Sequence, residues 1–257
     1  MTEPQIPTPP PGAFPPPPGA YPPPPGAFPP PPGGYRPVPV DPNTVPYSLD
    51  TGARWAWRKF TDNVAGLFVG VLVLMALSTV AMLFTIVGFV VLMGSASDSE
   101  GAGIAVGIVL LVLGILAYVG VSAYFASAYT GGLIDIANGV PTTTSSFLRP
   151  RYFGTVFALV LLQTLAVLAG SVVFCVGGII VSFFLAYAVM VVVDKGVGAI
   201  EAMKTSVSLV RGHLGDAFVL FLVVTALTMV IGVLATPFVQ LLTVFAYRRF
   251  SGQSVAV

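Results

Sequence analysis

Charge is what this sequence has least of. Only 8% of its 257 residues are Asp, Glu, Lys or Arg, against 56% that are hydrophobic. A soluble domain carries roughly a quarter charged residues, so the chain lacks the polar surface to cover a globule in water. Eleven basic and ten acidic residues leave a formal charge of +1. That balance gives no attraction to nucleic acid or to acidic substrates, and nucleic acid is not expected as a partner. Histidine and cysteine are equally scarce, one of each: His213 and Cys175. A lone cysteine makes no internal disulfide, and Cys175 reads as a small apolar filler. His213 is expected to sit solvated at a membrane interface. A serine–histidine–acid arrangement would have to run through it, and no nucleophile elbow is present. No glycine-rich loop matches a phosphate cradle. The expectation is a chain without catalytic, cofactor-binding or metal-binding residues, and not an enzyme.

No signal-peptide pattern precedes the first apolar run, which begins near Val64 and is expected to act as its own signal anchor. Before it, residues 1 to 46 are low-complexity. Phe14, Tyr21, Phe28 and Tyr35 recur every seven residues among prolines and glycines. Proline fixes φ and removes backbone donors, so this stretch favours polyproline II and cannot form helix or sheet. Gly-Ala and Gly-Gly steps interrupt the rod. The expectation is a disordered tail with four spaced aromatic rings, suited to weak multivalent contact or to serving as a spacer.

Residues 47 to 257 read as a helical transmembrane domain. Residues 48 to 63 form a short amphipathic helix, with Trp55 and Trp57 beside arginines and a lysine, as suits the membrane interface. Val64 to Gly94 and Gly101 to about Thr130 are long enough to span. Tyr152 to Val193 runs uncharged for too long to be one span and suits a hairpin, with Gly170 or Gly177-Gly178 at its turn. Ala217 to Tyr247 is either one over-long helix or two short ones, with Gly232 and Pro237 offering a break. All Lys and Arg fall before the first span, after the second, after the central hairpin and at the C-terminus. The positive-inside rule places all four groups in the cytoplasm, which requires an even number of crossings. The predicted architecture is all-α: a polytopic helical membrane protein of six spans, with five as the alternative, cytoplasmic interfacial helices, and a cytoplasmic N-terminus. A weak threefold organisation, interfacial segment plus hairpin, is also visible.

Between the hairpins lies DKGVGAIEAMKTSVSLVRGHLGDAF, residues 194 to 218. On a helix, Ile200, Met203, Val207 and Val210 share an apolar face, and Glu201, Lys204, Ser208 and Arg211 lie opposite. This helix reads as lying on the cytoplasmic leaflet, either as a docking surface or as a connector that positions two hairpins. Asp135 and Asp194 read as solvated helix-end residues. Gln163 and Gln240 are candidates for interhelical hydrogen bonds. Gly66-x-x-x-Gly70 and Gly103-x-x-x-Gly107 permit close helix packing.

Asp194, Gly196, Glu201, Ala202, Lys204, Ser206 and the Leu209–Gly212 ending, followed later by Ala246-Tyr247-Arg248-Arg249 and Gly252, resemble a group of uncharacterised bacterial integral membrane proteins. The group includes YciC-like proteins and the membrane domain attached to some glycerophosphodiester phosphodiesterases; the Pro/Gly-rich front is similar to actinobacterial proline- and glycine-rich membrane proteins. The resemblance implies a six-span protein of the bacterial plasma membrane and no catalytic residues. The function expected is a membrane anchor or scaffold whose tail recruits a cytoplasmic protein or self-associates. The alternative is a transporter or permease subunit for a neutral or apolar solute.

Overall fold

The structure, a computed structural model, describes residue 41 and residues 43–97, 101–173 and 176–256. The four repeat aromatics Phe14, Tyr21, Phe28 and Tyr35, and Cys175, lie outside the described residues. Among the described residues every regular element is helical. The chain runs α1 (Leu49–Asp62), α2 (Val64–Ser97), α3 (Gly101–Ala137), a 3₁₀ turn (Thr144–Leu148), α4 (Phe153–Val173), α5 (Gly177–Phe184), α6 (Ala188–Lys195), α7 (Ala199–Gly212), α8 (Leu214–Ile231), a second 3₁₀ turn (Gly232–Ala235) and α9 (Thr236–Phe250). This order repeats one theme three times: a short segment, then a helical hairpin.

The first hairpin is the longest. The α2 helix of 34 residues extends about 50 Å. It packs antiparallel on α3 through glycines. A Cβ on Gly107 would lie 2.6 Å from the Leu92 backbone, and one on Gly114 2.6 Å from the Thr85 backbone. Only glycine lets two backbones approach so closely. Gly66 and Gly70 do different work from a helix-pairing motif: Gly66 and Gly132 seat the ring of Phe147, which is carried by the first 3₁₀ turn and fully buried, and Gly70 lies against the ring of Tyr129 and the Cβ of Phe147.

In the second hairpin, Gly170 on α4 meets Gly177 on α5, so both expected glycines flank the turn. The return limb is broken at residues 185–187 into α5 and α6. Its end is set by Gly196, whose φ of +66° caps α6 in the left-handed region.

The third hairpin bends at Gly232–Ala235, with Pro237 in the first turn of α9. Its two outer ends meet: the His213 ring stacks on Phe250 at 4.4 Å. His213 is therefore half-buried, with one face packed on an aromatic ring.

Five stretches are long and apolar enough to cross a membrane: Val64–Ala96, Gly101–Ala137, Phe153–Val172, Gly177–Lys195 and Leu214–Phe250. The last contains both limbs of the third hairpin, which is where five and six part.

Exposure divides the molecule into two zones. Leu72, Leu83 and Val90 on α2, Val109 and Leu113 on α3, and Leu165 and Leu168 on α4 all face outward, as lipid-facing helices do. The well-packed zone lies at one end. It contains the last turns of α3 from Ser127 to Ala137, α6, most of α9, and Trp55 and Ala56 of α1. Trp55 belongs to this core rather than to an interfacial belt. It is 1% exposed, packs on Phe245 and donates its indole N–H to the Ala256 carbonyl at 2.8 Å. The exposed tryptophan of α1 is Trp57.

Candidate functional site

The charges of the packed zone serve to tie elements together. Asp194, at the end of α6, is the hub. It pairs with Arg248 at 3.3 Å and accepts hydrogen bonds from the Tyr247 hydroxyl at 2.8 Å and the Gln253 amide at 3.0 Å. Arg248 also donates to Asn138 at 2.7 Å. Both charged side chains are about nine-tenths buried. Asp135, near the end of α3, pairs with Arg151 at 2.6 Å. Neither aspartate is the solvated helix-end residue its position implies. Position along a chain does not reveal that Arg248 folds back onto Asp194 and Asn138, or that Arg151 returns to Asp135.

The chain just before α1 is clamped by the same C-terminal segment. Asn43 donates to the Val255 carbonyl at 2.8 Å and accepts from the Val255 amide at 2.9 Å. Arg249 donates to the Val45 carbonyl at 2.6 Å, and Tyr47 packs on Phe250. Residues 43–46, grouped with the tail on composition, are thus held in place. Burial, with the nearby Asp216 charge, pushes the Tyr47 phenol up to about 12, so it stays neutral within this clamp.

The break between α5 and α6 is closed by two side chains. Ser206 on α7 donates to the Phe184 carbonyl at 2.8 Å and accepts from the Tyr187 amide at 3.1 Å. Its hydroxyl is spliced into the helical ladder where two backbone bonds are missing. The Gln163 amide of α4 donates to the Leu185 carbonyl at 3.0 Å, the interhelical bond expected of it. Beside the break, an apolar cavity of about 60 Å³ is lined by Phe183, Tyr187, Ala217, Leu220 and Thr243 among others.

An open groove of about 670 Å³ runs along α7. Its apolar wall is Leu162 of α4, Leu185 at the break, and Ile200, Met203 and Val207 of α7; Lys204, Ser208 and Arg211 complete it. Of the four predicted polar residues of α7, three therefore border one feature and Glu201 stands exposed outside it. The face that α7 packs against the protein is the one that carries small residues. Ala202, Ser206 and Val210 are fully buried, whereas Ile200 is 64% exposed. The sequence signal for that face was the i, i+4, i+8 spacing of small residues, which a reading by apolar size passes over. No group of three His, Cys, Asp or Glu gathers among the described residues.

These features define a class: a multi-pass, all-helical membrane protein with one tightly packed end. The chain is 32% identical over 230 residues to the uncharacterised proteins Rv2560 of Mycobacterium tuberculosis H37Rv and Mb2590 of Mycobacterium bovis, a match covering 81% of this chain and 70% of each relative. The uncharacterised MT2637 of M. tuberculosis CDC 1551 matches to the same extent. The chain belongs to the same family as these uncharacterised mycobacterial proteins. No family model matches it, and no solved structure does.

Proposed function

We propose that the protein is a non-enzymatic anchor or scaffold of the bacterial plasma membrane, with six crossings and its Pro-rich tail in the cytoplasm. The observation that carries this reading is the clamp on residues 43–47. A recruiting tail works best when its root is fixed, because the volume its binding rings sample then sets their effective concentration. Here that root is tied to the C-terminal segment by Asn43, Val45 and Tyr47. Six crossings are supported by the same pairing, since Asn43 and Val255 must lie on one side of the bilayer. The cytoplasmic orientation is supported by the clustering of basic residues at the packed end. The resemblance of residues 194–212 to YciC-like proteins and to phosphodiesterase-linked membrane domains belongs to this proposal. In this chain those motif residues do structural work: Asp194 holds Arg248, Gly196 caps α6 and Ser206 closes the helix break.

A permease for a neutral or apolar solute is the second reading. The break between α5 and α6 favours it, because interrupted helices within membranes often line transport sites. Deleting residues 1–40 discriminates between the two. Cytoplasmic proteins that co-purify from membranes with the full chain should disappear with the truncated one. Retained partners, or a solute flux that persists without the tail, would overturn the scaffold reading.

A further inference from the structure

The groove along α7 has a composition that neither a protein core nor a solvated surface explains. Its wall is apolar, with Ile200 64% exposed and Met203 and Val207 half-buried at its edge. Two cations, Lys204 and Arg211, border it. Neither makes a hydrogen bond or an ion pair with any described residue, whereas Arg248 and Arg151 are paired with Asp194 and Asp135. Glu201, one turn before Lys204, lies outside the groove and forms no ion pair with it within 4.0 Å.

We infer that this groove holds one anionic phospholipid, its phosphate between Lys204 and Arg211 and its acyl chains along Leu162, Leu185 and Val207. Residues seven apart on a helix share a face, and the two long side chains can converge on one phosphate from about two turns apart. Ser208, between them, offers a hydroxyl to the same headgroup. A zwitterionic lipid would fill the apolar wall equally well but would bring a second cation toward two unpaired ones. A soluble anion would use the cations and leave the apolar wall open. Only an anionic lipid matches both halves of the groove.

The inference rests on the membrane reading, and the test separates the two. The full chain, purified in neutral detergent, is mixed with equal amounts of dioleoyl-phosphatidylglycerol and dioleoyl-phosphatidylcholine, and bound lipid is counted by native mass spectrometry. The phosphatidylglycerol adduct should dominate. At about 1 kcal/mol per cation near a headgroup, Lys204→Gln with Arg211→Gln should weaken that adduct by about tenfold or more. Arg54→Gln with Arg58→Gln, which removes two cations of α1, should leave it unchanged. Should the double variant not fold, Lys204→Gln alone is expected to give a smaller loss of the same sign. Equal retention of both lipids by the native chain, an equal loss in the α1 variant, or displacement of the lipid by an equal concentration of glycerol 3-phosphate would each overturn the site. A chain that resists alkaline carbonate extraction yet shows no lipid preference overturns this inference alone. A chain that is extracted overturns the membrane reading itself.

Discussion

Ser206 shows how a single hydroxyl can decide a fold inside a membrane. Backbone groups freed by a helix break have no water to turn to in lipid, and each unsatisfied group costs several kcal/mol. Ser206 answers two of them at once. Replacing Ser206 by Ala should destabilise the protein by about 1–3 kcal/mol, the cost of leaving buried groups unpaired. Ser208→Ala, on the exposed side of the same helix, should leave the unfolding midpoint in detergent unchanged; equal shifts for the two would show that Ser206 is not closing the break. Asp194 makes the larger claim. Its loss leaves Arg248 buried without its partner, and breaking a buried ion pair from one side costs about 3–5 kcal/mol. Asp194→Ala should therefore lower the unfolding midpoint sharply, while Asp50→Ala, which removes an exposed pair with Arg54, should move it little. Comparable losses from both would mean that the hub contributes no more than a surface pair.

At the scale of elements, helix type and approximate bounds are legible because lipid imposes them: long apolar runs must be helical when no water can satisfy the backbone. The turn at Gly232–Pro237 and the hairpin near Gly170 follow from the same reasoning. Which face of a helix turns inward is less legible. Hydrophobicity separates core from surface in water, but in a bilayer both the core and the lipid are apolar. Trp55 and Trp57 look interchangeable as interfacial anchors, yet one is buried and the other exposed. On α7, small size rather than apolar bulk marks the packed face. The α2–α3 hairpin follows the same rule, and its glycines are separable by experiment. Gly107→Ala forces a Cβ against the Leu92 backbone and should cost about 1–3 kcal/mol through overpacking. Gly120→Ala, with open space around it, should be neutral or mildly stabilising. If the two variants unfold alike, close approach of α2 and α3 is not what those glycines provide.

For the whole molecule the decisive quantity is the number of crossings, and side-chain contacts bear on it more than hydropathy does. By length and composition, Leu214–Phe250 is one stretch; as a single straight helix of 37 residues it would extend about 55 Å. Yet its ends are brought together by the His213–Phe250 stack, and the chain that follows returns to Asn43 through Val255. A single crossing would put those partners on opposite sides of a hydrocarbon core about 30 Å thick. Two limbs of 18 and 15 residues avoid that separation, but the second is short for a full span, and much of it is covered by α1 and the core. The expected outcome is that reporters fused before residue 41 and after Val257 are active on the same side, the cytoplasm. A cysteine replacing Leu234, which is well exposed at the bend, should react with a membrane-impermeant maleimide added outside intact cells. Reporters active on opposite faces would establish five crossings and break the Asn43–Val255 pairing in the native membrane. Reporters on the same face with a Leu234→Cys site unreachable from outside would instead make the third hairpin a re-entrant one, which enters the bilayer and returns without crossing it.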